Sequence, residues 1–276
     1  MEQSKVWLVT GASKGLGLEL VTQLLAKGYR VAATSRNPQK MEQLSSYKNF
    51  LALAMEIDDE TSINKGIEAI KEHFGRIDVL VNNAGYGLLG TIEELSTTEI
   101  KNVFDVNVFG LINVTKAVLP LMRQQKSGRI INIASISASV AAPTTGIYSA
   151  TKAVVLQLSE SLKQEVEEFG IKVTAICPGG FRTDFLDKSS LSTPKNEIQD
   201  YTLVRNVLNR FAELNKNQGG DPKKAPEVFI KVAEMVNPPS RLYLGSDAIR
   251  MINKKMHDIQ TNIDEFLTIS QDTDFD

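Results

Sequence analysis

Val6-Trp7-Leu8-Val9-Thr10-Gly11-Ala12-Ser13-Lys14-Gly15-Leu16-Gly17 is the stretch from which the rest of the chain can be read. A short apolar run ends in a glycine-rich turn. The turn leads at once into Leu16, Leu20, Val21, Leu24 and Leu25, apolar residues at helical spacing that stop at Gly28. In a strand–turn–helix of this kind, glycines let the chain bend sharply and let backbone amides approach a pyrophosphate. The helix N-terminus adds unpaired N–H groups and a favourable dipole. The spacing is G-x-x-x-G-x-G, and Gly15 is not followed by Lys-Ser/Thr, which argues against a P-loop triphosphatase. Gly11, Ser13, Lys14, Gly15, Leu16 and Gly17 are therefore candidate dinucleotide contacts.

The same alternation continues outward. Arg30 to Thr34 reads as a second strand, Pro38 opens a short helix, Phe50 to Ile57 reads as a third strand, and Asp59 can cap a helix carrying Ile63, Ile67 and Ile70. Val79 to Val81 is a fourth strand. Ser96 and Glu99 have capping-box spacing before a long helix through Leu119, with Pro120 in a bend or a new first turn. Arg129 to Ala134, Tyr148 to Phe169 and Ile171 to Ile176 add strand, helix and strand. Beyond Pro178 come a helix near Tyr201 to Leu214, another from Pro222 to Met235, a last strand Arg241 to Leu244 and a helix from Ile249 to Ile259 with a frayed extension. Fully apolar strands alternating with helices imply a parallel sheet covered on both faces. No linker splits residues 1–276, so one domain is expected, with 184–220 as a variable loop or lid and 270–276 as a mobile acidic tail.

Composition agrees with a globular protein. A chain of 276 residues can bury about three quarters of its unfolded surface. The 33 acidic against 31 basic residues leave no basic excess for nucleic acid. The one cysteine, Cys177, permits no internal disulfide, which fits a reducing compartment. No signal peptide is expected at MEQSKVWLVTGAS, and no window approaches the roughly 20 apolar residues of a bilayer span. A soluble cytoplasmic protein without membrane contact is the expectation. His73 and His257 lie far apart in polar helices, so no metal site is expected.

Two further patterns carry chemistry. The second strand ends Thr34-Ser35-Arg36-Asn37. A carboxylate there would accept hydrogen bonds from a ribose 2′-hydroxyl and repel a 2′-phosphate, and none is present. Arg36 instead offers a planar cation, and Lys14 a second positive charge, so NADP(H) is expected over NAD(H). Tyr148 and Lys152 stand four apart at the start of a helix and share a face. A phenol ionises near pH 10, so work near neutrality needs roughly 4 kcal/mol of differential stabilisation. A nearby ammonium, the positive nicotinamide ring and the helix dipole all push that way. Ser135, just past the fifth strand, is placed to hold a carbonyl oxygen. Ser137 and Ser139 compete with it, and residue chemistry alone does not rank them.

The glycine loop, Asn82-Asn83-Ala84-Gly85, Asn107, Ser135, the Tyr148/Lys152 pair and Pro178-Gly179 occur in that order. Together they resemble the classical short-chain dehydrogenase/reductase family, strongly over residues 5 to about 183. The resemblance implies a doubly wound Rossmann domain with a parallel sheet of about seven strands. It implies Tyr148 as acid/base, Lys152 lowering its pKa and binding the nicotinamide ribose, and Ser135 as the serine that orients the carbonyl. Asn107 would hold a water linking Lys152 to solvent. Asn83, Ala84 and Gly85 would pack beside the adenosine ribose. Glu56-Ile57 stands where the family often has Asp–Val, a departure that weakens the expected adenine contact. Pro178, Gly179 and Thr183 would cover the nicotinamide.

The implied activity is NADP(H)-dependent carbonyl reduction or its reverse, with a non-catalytic NADP(H)-binding regulator as the alternative. Tyr86, Leu88, Leu89, Val140, Phe181, Phe185, Leu186 and Leu191 predict a largely apolar small-molecule substrate. By analogy with the family, helices around 97–125 and 147–169 would pair in a homodimer or homotetramer.

Overall fold

A computed structural model describes residues 4–273 and Phe275. The chain begins with β1 (Val6–Thr10), α1 (Gly15–Ala26), β2 (Arg30–Ser35), β3 (Phe50–Ala54), α2 (Glu60–Phe74) and β4 (Val79–Asn82). A two-residue β5 (Gly87–Leu88) precedes α3 (Thr97–Phe104), a π-turn over Asp105–Gly110 and α4 (Leu111–Gln125). Then come β6 (Gly128–Ile133), α5 (Gly146–Val166), β7 (Ile171–Pro178), β8 (Leu191–Ser192), α6 (Thr202–Leu214), α7 (Ala225–Glu234), β9 (Arg241–Leu244), α8 (Ser246–Glu265) and α9 (Leu267–Gln271).

Seven strands form one parallel sheet in the order β3-β2-β1-β4-β6-β7-β9. This is a single doubly wound α/β domain. Side chains alternate across the strands, so Trp7 and Val9 enter one core with Leu20, Leu24 and Phe229, while Leu8 enters the other with Ile63, Ile70, Val118 and Met122. Winding reverses between β1 and β4, and at such a switch point the strand ends leave a crevice. The glycine loop and the turn after β4 both open there.

Local signals explain most helix ends. Asp59 accepts from Thr61 N at 2.8 Å, and Ser96 with Glu99 forms the expected capping box. Four details differ from the sequence reading. β3 stops at Ala54 rather than Ile57, leaving Glu56 beyond the sheet. Pro120 lies inside α4 without ending it; Pro120 and Lys116 are both exposed, so water can satisfy the freed Lys116 carbonyl. The run Thr97–Gln125 is long and apolar enough, by length and composition alone, to cross a membrane, which the residue count missed; Val103, Val114, Val118 and Met122 from it are buried in the protein. The last helix is also longer than expected, with α9 following it. The tail expected to be mobile is helical through Gln271, and Asp274 and Asp276 lie outside the described residues.

Candidate active site

The glycine loop is built by contacts that exclude side chains. Gly11 and Gly15 have φ of 62° and 57°. A Cβ on Gly11 would lie 2.7 Å from Ala84 Cα, and one on Gly17 would lie 2.4 Å from Asn83 Nδ2. Asn83 in turn donates from Nδ2 to the carbonyls of Thr10 (2.9 Å) and Gly11 (3.1 Å). Thr10 Oγ1 accepts from the amides of Asn83 (3.0 Å) and Ala84 (3.1 Å). Asn83, Ala84 and Gly85 are thereby fastened against the loop. α2 and α3 carry side-chain caps, but α1 has none, and no acidic residue stands in its first turn. Its leading amides, at Gly15, Leu16 and Gly17, are the kind that anions take. A cradle of close-packed glycines before an uncapped helix fits a dinucleotide pyrophosphate, with Ser13 in the same turn.

Arg36 is exposed just past β2. Lys14 reaches the lid segment, donating from Nζ to Ser189 O (2.6 Å) and Ser189 Oγ (3.1 Å). Burial holds the Lys14 ammonium below its ordinary pKa, and repulsion from Lys40 and Arg36 adds to this against attraction by Asp184 and Asp187. Lys14, Arg36 and Lys40 thus share one positive field beside the loop. Lys40 was not singled out in the sequence because it stands inside a polar 3-10 turn. Glu56 is exposed, with its backbone amide held by Ser62 Oγ at 3.0 Å, while Ile57 packs on Gly110. Thr183 lies over Gly15: a Cβ there would be 3.7 Å from Thr183 Cβ. Pro178 ends β7, and Gly179 and Gly180 wrap the Asp247 carboxylate, which accepts from Gly180 N at 2.7 Å.

Ser135, Tyr148 and Lys152 are all buried at the C-terminal end of β6 and the start of α5. The structure also ranks the serines. Ser135 is the serine whose hydroxyl bears on the Tyr148 phenol, and Ser139 is taken by Tyr243 OH at 2.8 Å. Burial pushes the Tyr148 phenol up to about 12, with the Ser135 hydrogen bond opposing. Lys152 stands one turn further along the same face of α5. The ammonium is itself pushed down to about 8 by burial. It donates to Ile133 O at 2.8 Å and lies 6.0 Å from the Tyr148 ring centre. Asn107 sits in the π-turn and donates to Tyr86 O (2.9 Å) and Thr151 Oγ1 (3.2 Å) while accepting from Tyr86 N (3.0 Å). Both amide hydrogens are engaged, so this side chain anchors the turn beside Gly85.

A stability test follows from Lys152. The native state holds its proton less tightly than the unfolded chain, so this group makes stability rise with pH between about 8 and 10.5. Denaturant unfolding should show a gain of roughly 1 kcal/mol from pH 8 to 9 over that of Lys152→Met. Equal slopes for the two proteins would refute the burial assignment. Cys177, buried and pushed up to about 11, opposes the rise and is common to both.

Other contributors left no motif. Asn82 Nδ2 donates to Thr115 Oγ1 and Asn132 Oδ1, both at 2.9 Å, and Asn132 Nδ2 donates to Ser159 Oγ at 2.9 Å. This buried row joins α4, β4, β6 and α5. In the 184–220 segment, β8 pairs with β5, and Phe185 lies 5.8 Å from the Tyr148 ring, with Phe185 and Leu191 both against Gly87. Val140 and Phe181, expected at the substrate, are drawn elsewhere: Val140 to the base of α8, Phe181 to the α7 side. A cavity of about 250 Å³ beside β5 is lined by Tyr86, Leu88, Glu99, Asn102 and Lys195, not by Tyr148.

The 184–220 segment is fastened by Glu94, whose carboxylate is fully buried. It pairs with Arg205 of α6 and accepts from Thr91 N (3.1 Å), Thr91 Oγ1 (3.0 Å) and Ile198 N (2.9 Å). Glu94→Ala leaves Arg205 without this partner and should cost about 3 kcal/mol. At roughly 2–4 °C per kcal/mol, the thermal midpoint should fall roughly 6–12 °C. A change below 2 °C in calorimetry would mean that the pair does not hold the segment.

The comparisons agree with this geometry. The family model described as short chain dehydrogenase matches residues 5–193. The chain is 35% identical over 258 residues to the oxidoreductase BOA17 of Botryotinia fuckeliana, covering 91% of this chain and 92% of that protein. It is 36% identical over 245 residues to a 3-ketodihydrosphingosine reductase of Bacteroides thetaiotaomicron, covering 88% of each. A short-chain dehydrogenase structure from Streptomyces avermitilis superposes with a TM-score of 0.92 at 34% identity, over 99% of this chain and 100% of that one. Fold, site order and likeness over nearly the whole length agree, and the chain belongs to the short-chain dehydrogenase family of oxidoreductases.

Proposed function

We propose that the protein is an NADP(H)-dependent reductase of an aldehyde or ketone, with alcohol oxidation as the reverse. The observation that carries this reading is the buried meeting of Ser135, Tyr148 and Lys152 beside the glycine cradle. The bound dinucleotide supplies the hydride. Gly11, Ser13, Gly15, Leu16, Gly17 and Thr183 would hold its phosphates and Asn83-Ala84-Gly85 its adenosine side, with Glu56 and Ile57 further out. Lys14, Arg36 and Lys40 favour a 2′-phosphate over a free hydroxyl. Pro178 and Gly179 would line its nicotinamide end.

Ser135 donates to the carbonyl oxygen and orients it, and Tyr148 delivers a proton to the same atom. A phenol pushed up to about 12 is fully protonated at neutral pH, which is the form reduction requires. Lys152 holds the ribose hydroxyls and returns a proton to Tyr148, and Asn107 keeps the surrounding turn in place. Phe185 and Leu191 favour a largely apolar substrate, and the 36%-identical relative named for a 3-keto substrate is in keeping with carbonyl reduction. Phe109 (53% exposed) and Leu158 (37%) give the 97–125 and 147–166 helices apolar surface for a homodimer or homotetramer. A single buried cysteine suits the cytoplasm.

NADPH oxidation against a panel of aldehydes, ketones and long-chain 3-ketones, with NADH in parallel, tests the reading. Turnover with NADPH well above NADH is expected. Faster turnover with NADH would overturn the cofactor assignment alone. NADPH binding by fluorescence without turnover on any carbonyl would favour the regulator instead.

A further inference from the structure

Helix α8 leaves the body of the protein. At its base Ala248 and Ile252 are buried against Ile136, Val140 and Tyr243, and Asp247 is bonded to Gly180. From Asn253 to Glu265 every residue is exposed apart from a half-buried Asp258, and Leu267–Gln271 in α9 is exposed throughout. A helix of this length standing in water is marginal, because most helix stability comes from packing an amphipathic face.

The free face has a definite pattern. Ile249, Met256, Ile259, Ile263 and Phe266 are its apolar positions, and with the buried Ile252 they follow one another at alternating steps of three and four residues, the spacing of a coiled-coil seam. Five of the six are 45–62% exposed: Ile249 45%, Met256 62%, Ile259 45%, Ile263 50% and Phe266 49%. Charge is divided along the same helix. Arg250, Lys254 and Lys255 lie in its first half, and Asp258, Asp264 and Glu265 in its second. The one acid in the first half, Asp247, is turned into its own body.

We infer that α8 pairs with α8 of a second copy of this chain, antiparallel, about a two-fold axis between His257 and Asp258. This register sets Ile249 against the partner's Phe266, Ile252 level with the partner's Ile263, and Met256 against the partner's Ile259. The Ile249–Phe266 and Met256–Ile259 contacts each occur twice, as a two-fold interface requires, while Ile252 stays packed in its own body. The register also brings Arg250 level with the partner's Glu265 and the basic half beside the acidic half. Parallel pairing would set Lys254 and Lys255 on their own copies and Asp264 and Glu265 on theirs. A membrane surface is disfavoured because the acidic half would meet anionic headgroups along the same apolar stripe. This interface is separate from any pairing of the 97–125 and 147–166 helices.

The test is site-directed crosslinking of the full-length protein, in which Cys177 is buried and silent. Met256→Cys, beside the axis, should give a covalent dimer with a short bismaleimide. Ser270→Cys should give none, because antiparallel pairing separates the two copies of residue 270 by about 37 Å at 1.5 Å per residue. Adding Ile259→Glu to Met256→Cys should lower the crosslinked fraction at least tenfold. In the otherwise unaltered chain, Met256→Glu with Ile259→Glu should halve the mass in sedimentation while turnover per chain is unchanged. Crosslinking at 270, no crosslinking at 256, or unchanged mass in the glutamate variant would each overturn the pairing. So would flotation of the protein on phosphatidylcholine vesicles through this helix in place of self-association.

Discussion

Tyr148→Phe should lower kcat for carbonyl reduction by about 10³-fold while leaving NADPH affinity within a factor of two or three. Positioned proton transfer typically contributes 10²–10⁴-fold, and the substitution removes only the donor. The ring is buried and lies beside Phe185, so a phenyl group keeps the packing and loses only the hydroxyl. Loss of kcat with little change in KM is the mark of an interaction that matters in the transition state. Steady-state kinetics with fluorescence titration of NADPH would decide the matter. A loss below tenfold would remove Tyr148 from the proton-transfer role. The proton on Tyr148 also gives the direction an asymmetry. Reduction should hold its rate from pH 6 to 8, whereas oxidation, which needs the ionised phenol, should climb with pH.

Arg36→Asp should change the ratio of kcat/KM for NADPH over NADH by about 100-fold or more, in favour of NADH. Charge-assisted hydrogen bonds to a phosphate contribute about 1.5–3 kcal/mol, and each 1.4 kcal/mol is a factor of ten. The new carboxylate repels a 2′-phosphate and accepts from a 2′-hydroxyl, so both cofactors shift in opposite senses. Lys40 and Lys14 remain in the Arg36 variant, and adding Lys40→Ala should widen the change. An unchanged ratio in parallel assays would show that the phosphate is held elsewhere.

The residues that could be placed in advance share a property: their function is carried by local pattern. Gly11, Gly15 and Gly17 announce themselves by spacing after an apolar strand, Ser96 and Glu99 by capping chemistry, and the strands by unbroken apolar runs. The π-turn at Asp105–Gly110 has no such mark, since a helix with one extra residue per turn keeps the same composition. Two-residue strands such as β5 and β8 are too short for periodicity to show. Lys40 joined Lys14 and Arg36 only when the 3-10 turn placed it beside them. The burial that pushes the Tyr148 phenol up cannot be read from a YxxxK motif. The length of α8 was also missed, because its charged halves resemble a solvated helix end.

The row Thr115–Asn82–Asn132–Ser159 has a consequence for how the sheet is assembled. Parallel strands made of apolar residues tolerate a slip of two positions, because one buried aliphatic side chain replaces another on the same face. Asn82 pairs with Asn132 across β4 and β6; a two-residue slip would set it against Ile130 or Ala134 and orphan its amide, at about 1–3 kcal/mol per lost partner. The same slip would carry Ser135 about 6.6 Å along the strand direction. The asparagine pair therefore acts as a ruler inside the core, so that a misaligned sheet is penalised before any substrate is met.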